Sequence, residues 1–121
     1  MRRFSIAERL GSFRHAARGL RVLLRTQHNA RIHLAITILV VLLGWRLRIS
    51  AIDWRWLVVA IVLVWAAEAM NTALEHLCNV VSPEPNASVR MAKDIGAGAV
   101  LICAAGAAVL GVLVFLPYLR S

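Results

Sequence analysis

The chain has 121 residues, of which 60% are apolar and 17% are charged, and its mean hydropathy is +0.73. Soluble domains are roughly 45–50% apolar, so this excess excludes an ordinary soluble domain and requires an apolar solvent. An intrinsically disordered chain is poor in apolar residues, and a secreted disulfide scaffold needs more cysteines than Cys78 and Cys103. The totals indicate one small domain that is integral to a membrane, with both cysteines as free thiols.

The net charge of +8 is concentrated at the start of the chain. Residues 1–31 contain eight of the fourteen Lys and Arg residues and one acid, Glu8, so this segment carries +7 and the remaining ninety residues carry +1. A basic balance often indicates nucleic-acid binding. Because this basic segment adjoins an apolar run, anionic lipid headgroups are the nearer partner, and we predict no nucleic-acid partner.

Residues 5–25 have the periodicity of an amphipathic helix. Phe13, Leu20 and Leu24 recur at helical spacing, with arginines interleaved between them. The interleaved arginines are Arg14, Arg18, Arg21 and Arg25. A helix of this kind is predicted to lie in the plane of the lipid headgroups.

Three apolar segments follow, at about residues 32–47, 54–81 and 95–119. The third has 25 residues and no charge, and as a helix it would extend about 37 Å, enough to cross a hydrocarbon core of about 30 Å. Aromatic residues cluster at the predicted ends, as in a membrane aromatic belt: Trp45, Trp54, Trp56 and Tyr118. The predicted fold class is an all-α membrane protein, with an N-terminal surface helix and three transmembrane helices in a single domain that covers the whole chain.

Basic residues are divided unequally between the two sides of this predicted protein. With the N-terminus inside, ten Lys and Arg residues lie on the inner face and four on the outer face. The four outer residues are Arg46, Arg48, Arg55 and Arg120. The positive-inside rule therefore predicts that the N-terminus and the loop at 82–90 are cytoplasmic.

Polar residues in the second apolar segment form one stripe. Glu68, Asn71 and Glu75, hereafter the polar stripe, fall within an arc of about 80° on a helix. An acid inside a membrane helix costs about 2.5 kcal/mol or more, so each acid here is a candidate functional residue. Lys93 and Asp94 open the third predicted span, and we expect them to converge with the polar stripe at the same membrane face.

These side chains suit the parts of a phosphoryl transfer. Carboxylates with an amide suit a hard cation such as magnesium, and a lysine beside them suits phosphate. A carboxylate in a low-dielectric setting suits proton abstraction from a hydroxyl, and phosphoryl transfer is mostly positioning and charge neutralisation. The residues alone leave two other interpretations open: buried ion pairs that lock the helices together, and a cation or proton path of a small oligomeric transporter or channel.

The four histidines are weak signals for a metal site. His28 and His33 are five residues apart, a poor spacing for two ligands on one helical face, while His15 and His76 stand alone. We predict no zinc site, and we expect His33 to lie at the membrane interface.

Two long motifs resemble those of the prokaryotic diacylglycerol kinase and undecaprenol kinase family. Residues 68–75, EAMNTALE, match the pattern E-x-x-N-[ST]-A-[IL]-E, and residues 93–101, KDIGAGAVL, match the second motif. Residues 29–33, NARIH, and residues 82–84, SPE, are similar to the undecaprenol kinase branch in particular. The resemblance covers nearly the whole chain, from about Phe13 onward.

The resemblance implies a small lipid kinase of the bacterial cytoplasmic membrane, generally a homotrimer with composite sites between subunits. Such an enzyme uses Mg²⁺ and transfers the γ-phosphate of ATP to the hydroxyl of a membrane lipid at the cytoplasmic surface. By position, Glu68 would be the catalytic base, Asn71 would orient the site and Glu75 would be a magnesium ligand. Lys93 and Asp94 would contact ATP.

The resemblance also implies roles for the segment before the first span. The surface helix would guide the lipid headgroup, with three arginines near phosphates: Arg14, Arg18 and Arg21. His15 falls near a nucleotide-contacting position. Where the family often has a second metal-ligating Glu, this chain has Gln27, which removes one negative charge and should weaken magnesium binding. The substrate is undecaprenol or diacylglycerol, and the segment 29–33 favours undecaprenol.

Overall fold

The computed structural model describes residues 3–121 as four α-helices with short connections. Helix α1 spans Ile6–Thr26, α2 spans His28–Leu47, α3 spans Ala51–Val81 and α4 spans Ala87–Arg120. Residues 3–121 contain no β-strand, so the predicted all-α class is confirmed. Met1 and Arg2, the latter one of the arginines counted above, lie outside the described residues.

Helix α1 is amphipathic, as predicted. Its N-cap is Ser5, whose side chain accepts a hydrogen bond from the Glu8 N–H, and the Glu8 carboxylate lies near the positive end of the helix dipole. Leu23 is buried against the rest of the chain, whereas Phe13 is 74% exposed and Leu20 is 54% exposed. Exposed apolar side chains on a helix that also carries arginines fit a membrane surface rather than water.

A single residue, Gln27, separates α1 from α2, and Arg31 braces this junction. The Arg31 Nε donates to the Leu24 carbonyl at 2.9 Å, and its Nη2 donates to the Arg25 carbonyl. Both carbonyls belong to the last turn of α1, where carbonyl groups have no partner in their own helix. The guanidinium therefore fixes the direction in which α1 leaves the first span.

Helices α2, α3 and α4 are each long and apolar enough to cross a membrane. Three residues connect α2 to α3 and five connect α3 to α4, so neighbouring helices run antiparallel. The packing between α3 and α4 is extensive, whereas α2 contacts α3 more sparsely and α1 contacts α2 and α3 over short stretches. The start of α2, the end of α3 and the start of α4 share one end of the bundle, hereafter the α1 end.

The helices begin earlier than the predicted spans at 32, 54 and 95, and α4 begins eight residues earlier. For α3 and α4 the physical reason is capping: Asn86 accepts from N–H groups of the first turn of α4, and Ser50 does the same for α3. The limits of an apolar segment show where the apolar solvent ends, whereas a capping residue shows where a helix begins or ends. Lys93 and Asp94 consequently lie in the second turn of α4 rather than at its start.

The buried apolar core lies at the opposite end of the bundle from α1. It consists of one residue from the α2–α3 connection, one from α3 and two from α4: Ile49, Leu57, Val114 and Phe115. Beside this core, the Tyr118 hydroxyl donates to Asp53 Oδ2 at 2.6 Å and accepts from the Ser50 N–H at 2.9 Å. Arg48 has φ 52° and ψ 51°, a left-handed conformation that ends α2 where a glycine is usual.

Most of each long helix stays exposed in a single chain. Only 11%, 28% and 17% of the most apolar stretches of α2, α3 and α4 are buried inside it. Apolar faces of this extent require lipid or protein around them. The chain is a membrane protein, and its two cysteines are free thiols, Cys78 buried and Cys103 half-buried.

Candidate active site

Glu68 on α3 is the most deeply buried polar side chain among residues 3–121, at 2% exposed. Its Oε2 lies 3.5 Å from Nε2 of His33 on α2. Four buried polar atoms have no hydrogen-bond partner within the described chain: His33 Nε2, Glu68 Oε2, Asn71 Oδ1 and Thr72 Oγ1. Unpaired buried polar groups are rare and cost about 1–3 kcal/mol each, so a cluster of four indicates a site built to bind something.

The amide of Asn71 is oriented from two sides. Its Nδ2 donates to Glu75 Oε1 at 3.3 Å, which joins two members of the polar stripe on successive turns of α3. Its Oδ1 lies against Gly96 of α4, where an added Cβ would come within 2.5 Å of that oxygen and 3.0 Å of Leu74 Cδ2. Gly96 therefore permits the close approach of α4 that holds the Asn71 amide in place.

The expected convergence of Lys93 and Asp94 with the polar stripe occurs only in part. Lys93 Nζ donates to Asn79 Oδ1 at 2.6 Å, one turn of α3 beyond Glu75, and Asp94 is exposed. Within residues 3–121, no group of three or more His, Cys, Asp or Glu side chains is placed to hold a metal ion. The register between α3 and α4 puts Lys93 opposite Asn79, a residue that sequence reasoning missed.

A cleft of about 680 Å³, hereafter the α1–α3 cleft, lies between α1 and α3. Ala69 and Thr72 line it from α3. Ala69 follows Glu68 in the sequence, and Thr72 lies one turn of α3 beyond Glu68. From α1 it is lined by His15 and Arg18 among others. An occupant of this cleft would lie against Thr72, which is one turn of α3 from Glu68 and whose hydroxyl has no partner within residues 3–121.

The remaining predicted site residues lie on the α1 side of this region. Arg14 and Arg21 are exposed on α1, and Gln27 is half-buried at the junction, where its Nε2 donates to Thr26 Oγ1 at 3.4 Å. A second cleft, of about 730 Å³, runs along α1 from Arg3 to His15. It includes no residue of α3, so we place the candidate site in the α1–α3 cleft.

His33, which we expected at the membrane interface, packs between α2 and α3. Its side chain is 15% exposed, it contacts Glu68, and its ring meets the Trp65 ring edge-on at 6.5 Å between centroids and 65° between planes. The sequence feature that could have indicated a role for His33 was a polar side chain within an apolar span. That signal does not identify Glu68 as the partner, because the partner depends on the register between α2 and α3.

Comparison with known proteins agrees with the motifs. The family model described as Prokaryotic diacylglycerol kinase matches residues 14–115. The chain is 34% identical over 108 residues to the undecaprenol kinase of Bacillus subtilis, covering 89% of this chain and 88% of that protein. It is 36% identical over 113 residues to the diacylglycerol kinase of Synechocystis sp., covering 93% of this chain and 65% of that protein. The chain therefore belongs to the prokaryotic diacylglycerol kinase family, and it is a membrane lipid kinase.

Proposed function

We propose that the protein transfers the γ-phosphate of ATP to the hydroxyl of undecaprenol, with diacylglycerol as the second candidate substrate. The observation that carries this proposal is the Glu68 carboxylate, which is buried and is unpaired at Oε2 within residues 3–121. It lies one turn of α3 from Thr72, a residue that lines the α1–α3 cleft. The undecaprenol kinase of Bacillus subtilis supports the first substrate, and the diacylglycerol kinase of Synechocystis sp. supports the second.

In the proposed reaction, Glu68 acts as the general base. The lipid hydroxyl loses its proton to the Glu68 carboxylate, and the lipid oxygen forms a bond to the γ-phosphorus. The bond between that phosphorus and the oxygen shared with the β-phosphate breaks, and ADP leaves. Asn71, held by Glu75 and packed on Gly96, keeps the polar stripe in a single arrangement throughout.

The residues present fit a magnesium ion, which neutralises phosphate charge when bound. Glu75 offers a carboxylate fixed by Asn71, and Gln27 offers an amide oxygen. Both are hard oxygen donors, and magnesium needs only one or two protein ligands when substrate phosphates and water complete its shell. Lys93 and Asp94, together with His15, are proposed to contact the nucleotide.

The lipid is proposed to occupy the α1–α3 cleft, whose lining is mostly apolar. Its hydroxyl would reach Glu68 past Ala69 and Thr72, while three arginines of α1 stay near phosphate groups: Arg14, Arg18 and Arg21. Arg18 lines the cleft itself. This arrangement explains why an amphipathic helix at the membrane surface is braced onto the first span.

We also propose a homotrimer in the bacterial cytoplasmic membrane, with the α1 end on the cytoplasmic side. Nine of the thirteen basic residues within residues 3–121 lie toward that end, which supports the orientation through the positive-inside rule. Exposed apolar faces and the exposed Asp94 support sites that are completed by a neighbouring subunit.

Phosphate transfer from labelled ATP in mixed micelles tests the proposal, with undecaprenol and diacylglycerol assayed side by side. We expect label in undecaprenol and a loss of about 10²–10⁴-fold in Glu68→Gln, since the amide cannot accept the proton. Glu84→Gln is the matched control, because Glu84 is an exposed acid of the α3–α4 connection. Label in neither lipid, from wild-type protein shown to be folded, would contradict the proposal and favour ATP-independent cation or proton flux.

A further inference from the structure

Two side-chain contacts, about one helical turn apart, join α2 to α3 near the polar stripe. His33 Nε2 faces Glu68 Oε2 at 3.5 Å, and one turn further along α2 the Thr37 hydroxyl accepts a hydrogen bond from Trp65 Nε1 at 3.0 Å. The Thr37 hydroxyl in turn donates to the His33 carbonyl at 2.7 Å. The second contact is a completed hydrogen bond, whereas the first is not.

His33 Nε2 and Glu68 Oε2 face each other without forming a hydrogen bond, although both atoms are buried. A hydrogen bond of this type is usually about 2.7–3.2 Å long, so the gap exceeds it by only a few tenths of an ångström. Neither atom has another partner within residues 3–121. Contacts of catalytic groups are often long in the absence of substrate and shorten when the substrate is bound.

The surroundings of His33 strengthen any bond that it makes. Its ring borders an apolar cleft of about 200 Å³ between α2, α3 and α4, with Ala104 and Ala107 on the far wall. Trp65 packs edge-on against the ring. The His33 side chain is 15% exposed and has apolar groups around it, so its surroundings have a low dielectric. A hydrogen bond from its N–H group to a carboxylate is stronger there than in water.

We propose that His33 is a positioning residue for Glu68, an inference that rests on the proposed function. The His33 Nε2–H donates to Glu68 Oε2 in the working complex, so that Oε1 is the oxygen that accepts the proton of the lipid hydroxyl. His33 keeps its own proton throughout. The side chain acts through the orientation of the carboxylate and touches neither the lipid hydroxyl nor the phosphate.

The competing interpretation is that His33 only holds α2 against α3. The Thr37–Trp65 hydrogen bond offers a matched control, because it joins the same two helices one turn away and does not touch Glu68. Thr37→Val removes that bond with little change of shape. If helix association is all that matters, the Thr37 and His33 variants should behave alike.

The test measures kcat, the lipid KM and the melting temperature of the full-length protein in mixed micelles for His33→Phe, His33→Gln, His33→Asn and Thr37→Val. We expect His33→Phe to lower kcat by about 10–100-fold with the lipid KM changed by less than about twofold, since a misplaced base loses only transition-state stabilisation. His33→Gln places an amide N–H near the Nε2 position and should recover most of kcat, unlike the shorter His33→Asn. Thr37→Val should lower the melting temperature and leave kcat unchanged.

A double variant separates action through Glu68 from an independent role. Adding His33→Phe to Glu68→Gln should cost no further activity, because residues that act as a unit are not additive. The proposal is overturned if the double variant loses more than Glu68→Gln alone, if Gln and Asn at position 33 are equivalent, or if Thr37→Val lowers kcat as His33→Phe does. If His33→Phe does not fold, the Gln and Asn pair decides the result. A wild-type protein that labels neither lipid instead overturns the proposed function, and this inference with it.

Discussion

At the scale of single residues, the candidate site is a row of polar atoms that the membrane helices leave unpaired. Glu68 Oε2, Asn71 Oδ1 and Thr72 Oγ1 lie on adjacent turns of α3, and none has a hydrogen-bond partner within residues 3–121. Each would cost stability in a helix that only had to span the membrane. Their retention together is most simply explained by contacts that form with substrate.

Magnesium binding should depend on residue 27. We expect Gln27→Glu to lower the magnesium concentration for half-maximal activity by several-fold, because it adds a carboxylate to a site that has a neutral amide there. The measurement is kinase activity against total magnesium at a fixed ATP concentration. Gln27→Ala, which removes the oxygen ligand, should shift the same curve in the opposite direction, and identical curves for all three proteins would refute the placement.

Gly96 should be required for the orientation of Asn71. In Gly96→Ala the new methyl group would come within 2.5 Å of Asn71 Oδ1, so the two helices must separate or the amide must turn. We expect a loss of about 1–3 kcal/mol in stability and at least about a tenfold loss in kcat. Gly98→Ala is the control, since an added Cβ there meets nothing within 4 Å. Thermal unfolding and kcat should distinguish the two variants, and equal behaviour would argue against the role of Gly96.

At the scale of helices, the apolar core and the candidate site lie at opposite ends of the bundle. The end away from α1 contains the apolar core and the Tyr118–Asp53 hydrogen bond, so it supplies stability. The α1 end contains Glu68, the clefts and the brace that Arg31 places on α1. Stability and the candidate chemistry should therefore respond to different substitutions.

Tyr118→Phe tests this division. The change removes the hydroxyl that serves both Asp53 and the Ser50 N–H, which should lower stability by about 1–2 kcal/mol. We expect kcat to be unchanged, because Tyr118 lies at the opposite end of the bundle from Glu68. Ser121→Ala, which removes a hydrogen bond from an exposed hydroxyl, should change neither quantity. A large fall in kcat for Tyr118→Phe without loss of stability would contradict the division.

At the scale of the whole molecule, a single chain leaves much of its apolar surface exposed. Large apolar side chains cover the outer faces of all three long helices, and Asp94 is exposed although it belongs to the second motif. Lipid acyl chains can cover the apolar faces, but they cannot supply partners for an ionic site. A second copy of the chain can supply both.

Mixed oligomers should reveal whether the site is shared. We expect Glu68→Gln chains and Asp94→Asn chains, each inactive alone, to recover activity when they are co-reconstituted. In a random mixture about one interface in four would contain both intact residues if neighbouring subunits supply them. The control mixes Glu68→Gln chains with Glu68→Gln/Asp94→Asn chains, which contain no intact site in any combination. No recovery above this control would place both residues in one subunit.

The amino-acid sequence alone is sufficient to predict the fold class of the protein and the position of the polar stripe on one helix face. Apolar runs longer than a bilayer is thick allow little except membrane helices, and helical periodicity alone places Glu68, Asn71 and Glu75 on one face. The ends of the helices were less predictable. The cap at Asn86 extends α4 by two turns beyond the apolar segment, because a side-chain hydrogen bond starts a helix wherever it forms.

Contacts between helices required the tertiary structure. His33 meets Glu68, Lys93 meets Asn79, and Gly96 receives the amide of Asn71. Each of these pairs depends on the axial register and rotation of two helices, which result from packing summed over their whole lengths. Periodicity within a helix is local and can be read along the chain, whereas register between helices is a property of the assembled bundle.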